Sequence, residues 1–212
     1  MADEARPQLL ADGRAAGLDL IVIAQGKSGP CNQLSTALAV LAQRPAVLAV
    51  EWVGNTFFSS PCTKAFQPDE VRAEHVRALD AIANARRPGT IVLLVGIPPV
   101  DVQPWIASRS ALEPLYQAWP ASHPGFAYVD TTPSVAPDGR YVVTLPCRPA
   151  DVSAKACGAF GAAPGQVVVR DPIGLHFCPV RYDNDHADCP VWNSGAQRYA
   201  EAIVAHLRTL TR

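Results

Sequence analysis

The run Thr90 to Ile97, TIVLLVGI, is apolar at almost every position and constrains the fold more than any other stretch. A strand with one face in water alternates apolar and polar residues. A near-continuous run of leucine and β-branched residues belongs instead inside a parallel sheet covered on both faces. Parallel strands need long, usually helical crossovers, and the flanking sequence supplies them. Met1 to Ala16 reads as a helix and Leu18 to Ala24 (LDLIVIA) as a strand. Gln33 to Gln43 reads as a helix with Leu34, Leu38 and Leu41 on one face, and Ala46 to Val53 as a strand. A long helix is predicted over Pro68 to Arg87, its buried stripe formed by Val71, Val76, Leu79, Ile82 and Ala83. Proline suits the first turn, and Asp69 and Glu70 complement the helix dipole there. A shorter helix around Ala111 to Trp119 precedes the strand Phe126 to Asp130. The last helix, Ser194 to Leu210, repeats Ala196, Tyr199, Ala200, Ile203, Val204, Leu207 and Leu210 at helical spacing. The alternation predicts an α/β fold, a three-layer α/β/α arrangement on a mostly parallel sheet, flavodoxin-like in its winding.

The alternation lapses between Thr131 and Gln166 into proline, glycine and short strands, with Pro137-Asp138-Gly139 turning into the strand YVVTLP. This stretch is expected to be a loop insertion within one domain spanning 1–212. A chain of 212 residues is long enough to bury roughly 70% of its unfolded surface. Charged residues are 17% of the chain and the formal net charge is −1, which argues against a polyanion-binding surface, so no nucleic-acid partner is expected. No apolar run approaches the ~20 residues that span a bilayer. Asp3, Glu4, Arg6, Asp12, Arg14 and Asp19 interrupt the first twenty residues, which therefore hold no signal-peptide core.

The chain carries six cysteines: Cys31, Cys62, Cys147, Cys157, Cys178 and Cys189. None forms a CxxC pair, and no histidine stands at zinc-finger spacing, so a structural zinc site is not supported. Two readings stay open, six buried thiols or three disulfides. In the second, Cys147 joins Cys157, Cys178 joins Cys189, and Cys31 joins Cys62. Disulfides imply an oxidising compartment, so an extracytoplasmic location is the expectation. The missing export signal then points to sequence upstream of Met1.

The chemistry concentrates at strand ends. Val167 to Pro179, VVVRDPIGLHFCP, is a β-branched run that leads into a loop bearing His176. An imidazole at the mouth of a sheet, with an unperturbed pKa near ~6.5, can act as a base. A second run, VLAVEWVGN, ends in Gly54-Asn55 and presents a carboxamide donor at a strand terminus. A base and an amide donor are two of the three parts of acyl-transfer chemistry. Gly26-Lys27-Ser28 invites a phosphate-loop reading, but that motif needs a glycine where this chain has Ile21. A GxSxG elbow is also absent. No cofactor motif is present, and none is expected. The loop Asp183, Asp185, His186 and Asp188 matches no calcium loop and reads as a solvated loop closed by a disulfide. Trp52, Trp105 and Trp119 read as core or pocket-wall residues.

AQGKSGPC, VEWVGN and GLHFCP occur in the order, and at the element ends, seen in SGNH (GDSL-like) hydrolases, and the chain resembles that family from Leu18 onward. It is most similar to actinobacterial SGNH domains found alone or appended to membrane acyltransferases. The resemblance implies that Gly26 is the second-block glycine and Asn55 the third-block asparagine of an oxyanion hole. It makes His176 the catalytic histidine. Two departures stand out. No Gly-Asp-Ser occurs in the chain, so the first strand with its nucleophile is expected upstream of Met1. Ile173 stands where Asp-x-x-His places the aspartate, and Asp171 is the nearby candidate to orient His176. The expected function is ester hydrolysis or acyl transfer on an O-acyl ester of a sugar or small lipid. The alternative is a non-catalytic module that binds a glycan or acyl group. Ser28 is either a loop hydroxyl bonded to nearby groups or a substitute nucleophile.

Overall fold

A computed structural model describes residues 4–23, 28–53, 68–103, 105–180 and 189–211. Its elements in chain order are α1 (Arg6–Ala15), α2 (Pro30–Ala42), β1 (Val47–Val50), α3 (Pro68–Ala85), β2 (Ile91–Val95) and α4 (Trp105–Ser122), followed by β3 (Phe126–Val129), α5 (Thr132–Val135), β4 (Thr144–Pro146), α6 (Pro149–Ser153), β5 (Gln166–Val168) and α7 (Ser194–Leu210). They group into two compact units. One comprises Met1–Ala24, Pro98–Val102 and Thr131–Arg208; the other comprises Gln25–Ile97, Gln103–Asp130 and Thr209–Arg212.

The unit around Gln25–Ile97 is built on a three-stranded parallel sheet ordered β1-β2-β3. Val47 pairs with Ile91, and Val92 pairs with Phe126. The central place of β2 explains its composition. Val92, Leu93 and Leu94 are all at 0% exposure, whereas the flanking strands bury only part of their length. Helices α2 and α3 pack together, and α4 packs on α3 and β3. The buried stripe of α3 is Val71, His75, Ala78, Leu79 and Ile82. It is rotated slightly from the expected one, with His75 and Ala78 inside and Val76 and Ala83 half-buried. Helix α4 starts six residues before the expected Ala111 and runs through Pro114. Burial of Ser108, Leu112, Leu115, Tyr116 and Trp119 along one face outweighs the missing backbone donor.

In the other unit, α7 has the expected bounds, and its Ala196, Tyr199, Ala200, Ile203, Val204 and Leu207 are buried. Strands β4 and β5 pair antiparallel, Leu145 opposite Val167. They cover a small core of Leu145, Ala156, Val167 and Val169. Two disulfides form as expected: Cys147–Cys157, with Cα atoms 6.0 Å apart, closes the loop around α6, and Cys178–Cys189, at 5.6 Å, follows the His176 loop. Cys31, in the sheet-bearing unit, is also disulfide-bonded; its expected partner, Cys62, lies outside the described residues.

One expected strand is not formed. Leu18–Ile23 joins no ladder among the described residues, and Ile21 and Ile23 are 81% and 55% exposed. Its alternation suits a strand, but a strand exists only where a neighbour takes up its backbone donors and acceptors. No described helix is long and apolar enough to cross a membrane.

Leu93→Ala is expected to lower the unfolding free energy by about 2–5 kcal/mol, seen as a lower urea midpoint at unchanged slope. Ile21→Thr is expected to change it by less than about 0.5 kcal/mol, as at an exposed position without packing.

Candidate active site

The loop after β5 is fixed by buried groups on both sides of His176. Asp171 is 3% exposed. Its Oδ1 accepts the backbone N–H groups of Gly174 at 2.9 Å, Leu175 at 2.9 Å and His176 at 3.1 Å. Its own N–H donates to the His176 carbonyl at 2.9 Å. A short acidic side chain folding back on the next turn is the usual way such a loop satisfies its donors. Gly174 sits at φ +90°, and a Cβ there would lie 2.9 Å from the Asp101 Cβ. Glycine therefore meets both the conformation and the close approach. The Asp101 N–H donates to the Gly174 carbonyl at 2.9 Å and holds the loop from the Pro98–Val102 segment.

Arg170 lies beneath this turn at 1% exposure. Its guanidinium donates to the Pro99 carbonyl at 3.0 Å and the Leu175 carbonyl at 3.3 Å, and it lies 4.5 Å from the centroid of the Phe177 ring. Burial pushes its pKa down to about 10, against the pull of Glu4 and other acidic neighbours. It therefore stays cationic at neutral pH.

The carboxylate facing the imidazole is Glu4, just ahead of α1. Its Oε1 is bonded to His176 Nδ1, and its Oε2 accepts the Phe177 N–H at 2.8 Å. Glu4 is 4% exposed, while the His176 side chain is 31% exposed. Burial alone would raise the Glu4 carboxyl. The bonds from His176 and the Phe177 N–H, with the His176 charge, outweigh it and hold the carboxyl below its ordinary range. For His176 burial alone would lower the pKa, and the hydrogen bond and charge of Glu4, aided by Asp171, raise it instead.

Of the residues expected to carry the chemistry, His176 and Asp171 meet in this one loop. Asp171 acts on His176 through its backbone and its charge, not through a bond to the ring. Gly26 and Asn55 lie outside the described residues, as does the acidic loop of Asp183 to Asp188. Ser28, in the sheet-bearing unit, is 5% exposed and accepts a hydrogen bond from Gln33 Nε2 at 3.0 Å, close to the start of α2. Glu4 was not foreseen. It is 172 residues from His176 in sequence, and the only hint of it was the aspartate position taken by Ile173. Among the described residues no group of three or more His, Cys, Asp or Glu side chains is placed to hold a metal ion. A surface hollow of about 350 Å³ lined by Leu10, Arg14, Gly17, Leu18, Asp19 and Leu20 includes no residue of the His176 loop. No family model matches the chain, and no curated protein matches it.

The pair sets a pH window for stability. His176, raised in the fold, stabilises fully below its ordinary 6.5 and loses that as pH rises through the raised value; Glu4, depressed, stabilises above its ordinary 4.5 and loses that as pH falls through the lowered value. Both contributions are present together between 4.5 and 6.5. The difference in Tm between the wild type and His176→Gln is therefore expected to be largest in that interval and to shrink in alkaline buffer, as thermal scans across pH will show.

Proposed function

We propose that this chain is an ester-hydrolase or acyl-transfer domain of the SGNH type, three-layered α/β/α, acting on an O-acyl ester of a sugar or small lipid. The observation that supports this most is the His176 loop. It holds a half-buried imidazole after the end of a strand, on a turn fixed by Asp171, Gly174 and Arg170. Such over-determination suits a group that must meet a reacting atom in one orientation.

In this reading His176 is the general base. A hydroxyl attacks the acyl carbon and its proton passes to His176 Nε2. The tetrahedral intermediate then expels the alcohol, which takes that proton back from His176. Water or a second alcohol receives the acyl group in the following half-reaction. The family resemblance gives the oxyanion donors as Asn55 and the Gly26 N–H. Loss of one such donor typically lowers kcat by about 10²–10³. The two disulfides suit an oxidising, extracytoplasmic setting.

The test is turnover of p-nitrophenyl acetate together with labelling by a fluorophosphonate. His176→Ala is expected to reduce kcat/KM by about 10²–10⁴. Only neutral imidazole is a base, so kcat/KM is expected to rise with pH, with a midpoint above 6.5, the ordinary histidine value. Mass spectrometry of the labelled peptide identifies the nucleophile, and loss of labelling in Ser28→Ala would assign it to Ser28. A chain that binds acylated sugar without turnover or labelling is instead a binding module.

A further inference from the structure

The base needs a partner that fixes its tautomer, and Asp-x-x-His spacing leaves that place to Ile173, which is apolar and 48% exposed. Asp171 is committed elsewhere, its Oδ1 accepting backbone N–H groups from Gly174, Leu175 and His176. We infer that Glu4 is the positioning residue of the His176 base, delivered through space from the segment before α1 in place of the aspartate. This inference rests on the ester-hydrolase reading above.

Three features argue for it. The Glu4 carboxylate grips two successive residues, the imidazole through Oε1 and the Phe177 N–H through Oε2. That fork fixes the plane of the carboxylate and with it the direction of the ring. A carboxylate at Nδ1 also holds the neutral ring's proton on Nδ1 and leaves the lone pair on Nε2, the tautomer a base in acyl transfer requires. Finally, the orienting group is dry and the ring is wetter, at 3% against 31% side-chain exposure. An orienter is best screened from water, while a base has to reach its substrate. Other charges also act here: Asp171 favours imidazolium, the N-terminal ammonium disfavours it while favouring the Glu4 carboxylate, and Glu4 in turn favours the Arg170 cation. A clamp serving only to tie the N-terminal segment to the loop would need the Phe177 bond alone.

Nitrogen NMR of the whole 212-residue chain tests the inference without relying on activity. In the wild type the neutral His176 ring is expected to carry its proton on Nδ1. Glu4→Gln keeps the shape and an acceptor for the Phe177 N–H but removes the charge. It is expected to weaken the proton affinity of His176 about tenfold or more, which is one pKa unit. It is also expected to lower kcat by about 10²-fold or more at nearly constant KM, since a misheld tautomer impairs the proton transfer rather than substrate binding. Glu4→Asp retains the charge and is expected to restore part of the affinity. A folded Glu4→Gln chain with unchanged His176 titration and tautomer would overturn the inference whatever its activity. Should that variant not fold, a wild-type ring protonated on Nε2 would overturn it equally. A wild type that shows the Nδ1 tautomer yet turns over no ester would overturn the hydrolase reading, and the role with it, while leaving the contact itself in place.

Discussion

A guanidinium taken out of water is tolerated only where its donors and its charge are both answered, and Arg170 at 1% exposure imposes that condition on everything around it. Its donors go to the carbonyls of Pro99 and Leu175. Its planar face lies against Phe177. The charge of Glu4 favours the cation, and the Glu4 carboxyl is itself held below its ordinary range by its bonds to His176 and the Phe177 N–H. One buried cation thus ties together the Pro98–Val102 segment, the turn that bears His176 and the residue ahead of α1. Remove it, and Glu4 loses a favourable neighbouring charge while the Pro99 and Leu175 carbonyls lose a buried donor. Breaking one member of such a set costs about 3–5 kcal/mol. The position of the imidazole is therefore a consequence of charge burial as much as of loop geometry.

The same physics recurs elsewhere in the unit of Thr131–Arg208. Asp151, at 0% exposure, accepts Trp192 Nε1 at 2.9 Å, the Arg148 N–H at 2.9 Å and Arg198 at 3.1 Å. Burial alone would raise its pKa, and these bonds bring it below its ordinary value. Arg198 also donates to the Pro146 carbonyl at 2.7 Å and to Ser194 Oγ at 3.2 Å. The loop closed by Cys147–Cys157 is in this way fastened to the start of α7. Gly195 completes the approach, since a Cβ there would collide with the Val169 carbonyl. A segment rich in proline and glycine, with little apolar surface of its own, is ordered by a disulfide and a buried ion pair in place of a large core.

What could be read from the sequence divides along physical lines. Helix α7 carries a periodic apolar signal over its whole length and β2 an unbroken apolar run, and local pattern alone identified both. The pairings Cys147–Cys157 and Cys178–Cys189 were legible because each closes a short loop. Leu18–Ile23 has as good a strand pattern as β2, yet strand formation depends on a neighbour, which a local pattern does not specify. The helix through Pro114 was legible from Ala111 to Trp119, but its earlier start at Trp105 was not, because the first turns carry little periodic signal and Ser108 is held by burial. His176 could be singled out from its place on the loop after a β-branched run. Glu4 could not, since a contact across 172 residues has no spacing rule. In the proposed reading, Ile173 at the aspartate position leaves a carboxylate to be supplied from elsewhere, and no local spacing points to Glu4.

Two histidines of this chain show why place in the fold, and not residue type, decides how readily an imidazole takes a proton. His75 lies on the buried face of α3 at 0% exposure, its Nδ1 2.8 Å from the Tyr116 hydroxyl and its ring edge-on to that phenol. Burial pushes its pKa down to about 3. Tyr116 is fully buried too, and burial raises its pKa well above the usual phenol range. Neither member of the pair changes charge near neutrality, so a proton passed between them would leave two unsolvated ions. His176 is half-buried, and its neighbour is a carboxylate that favours the cation. Its pKa consequently moves upward from the ordinary histidine value. The same ring is thus a neutral packing element in one setting and a readily protonated group in the other. A carboxylate at hydrogen-bonding distance, in place of a phenol, makes the difference.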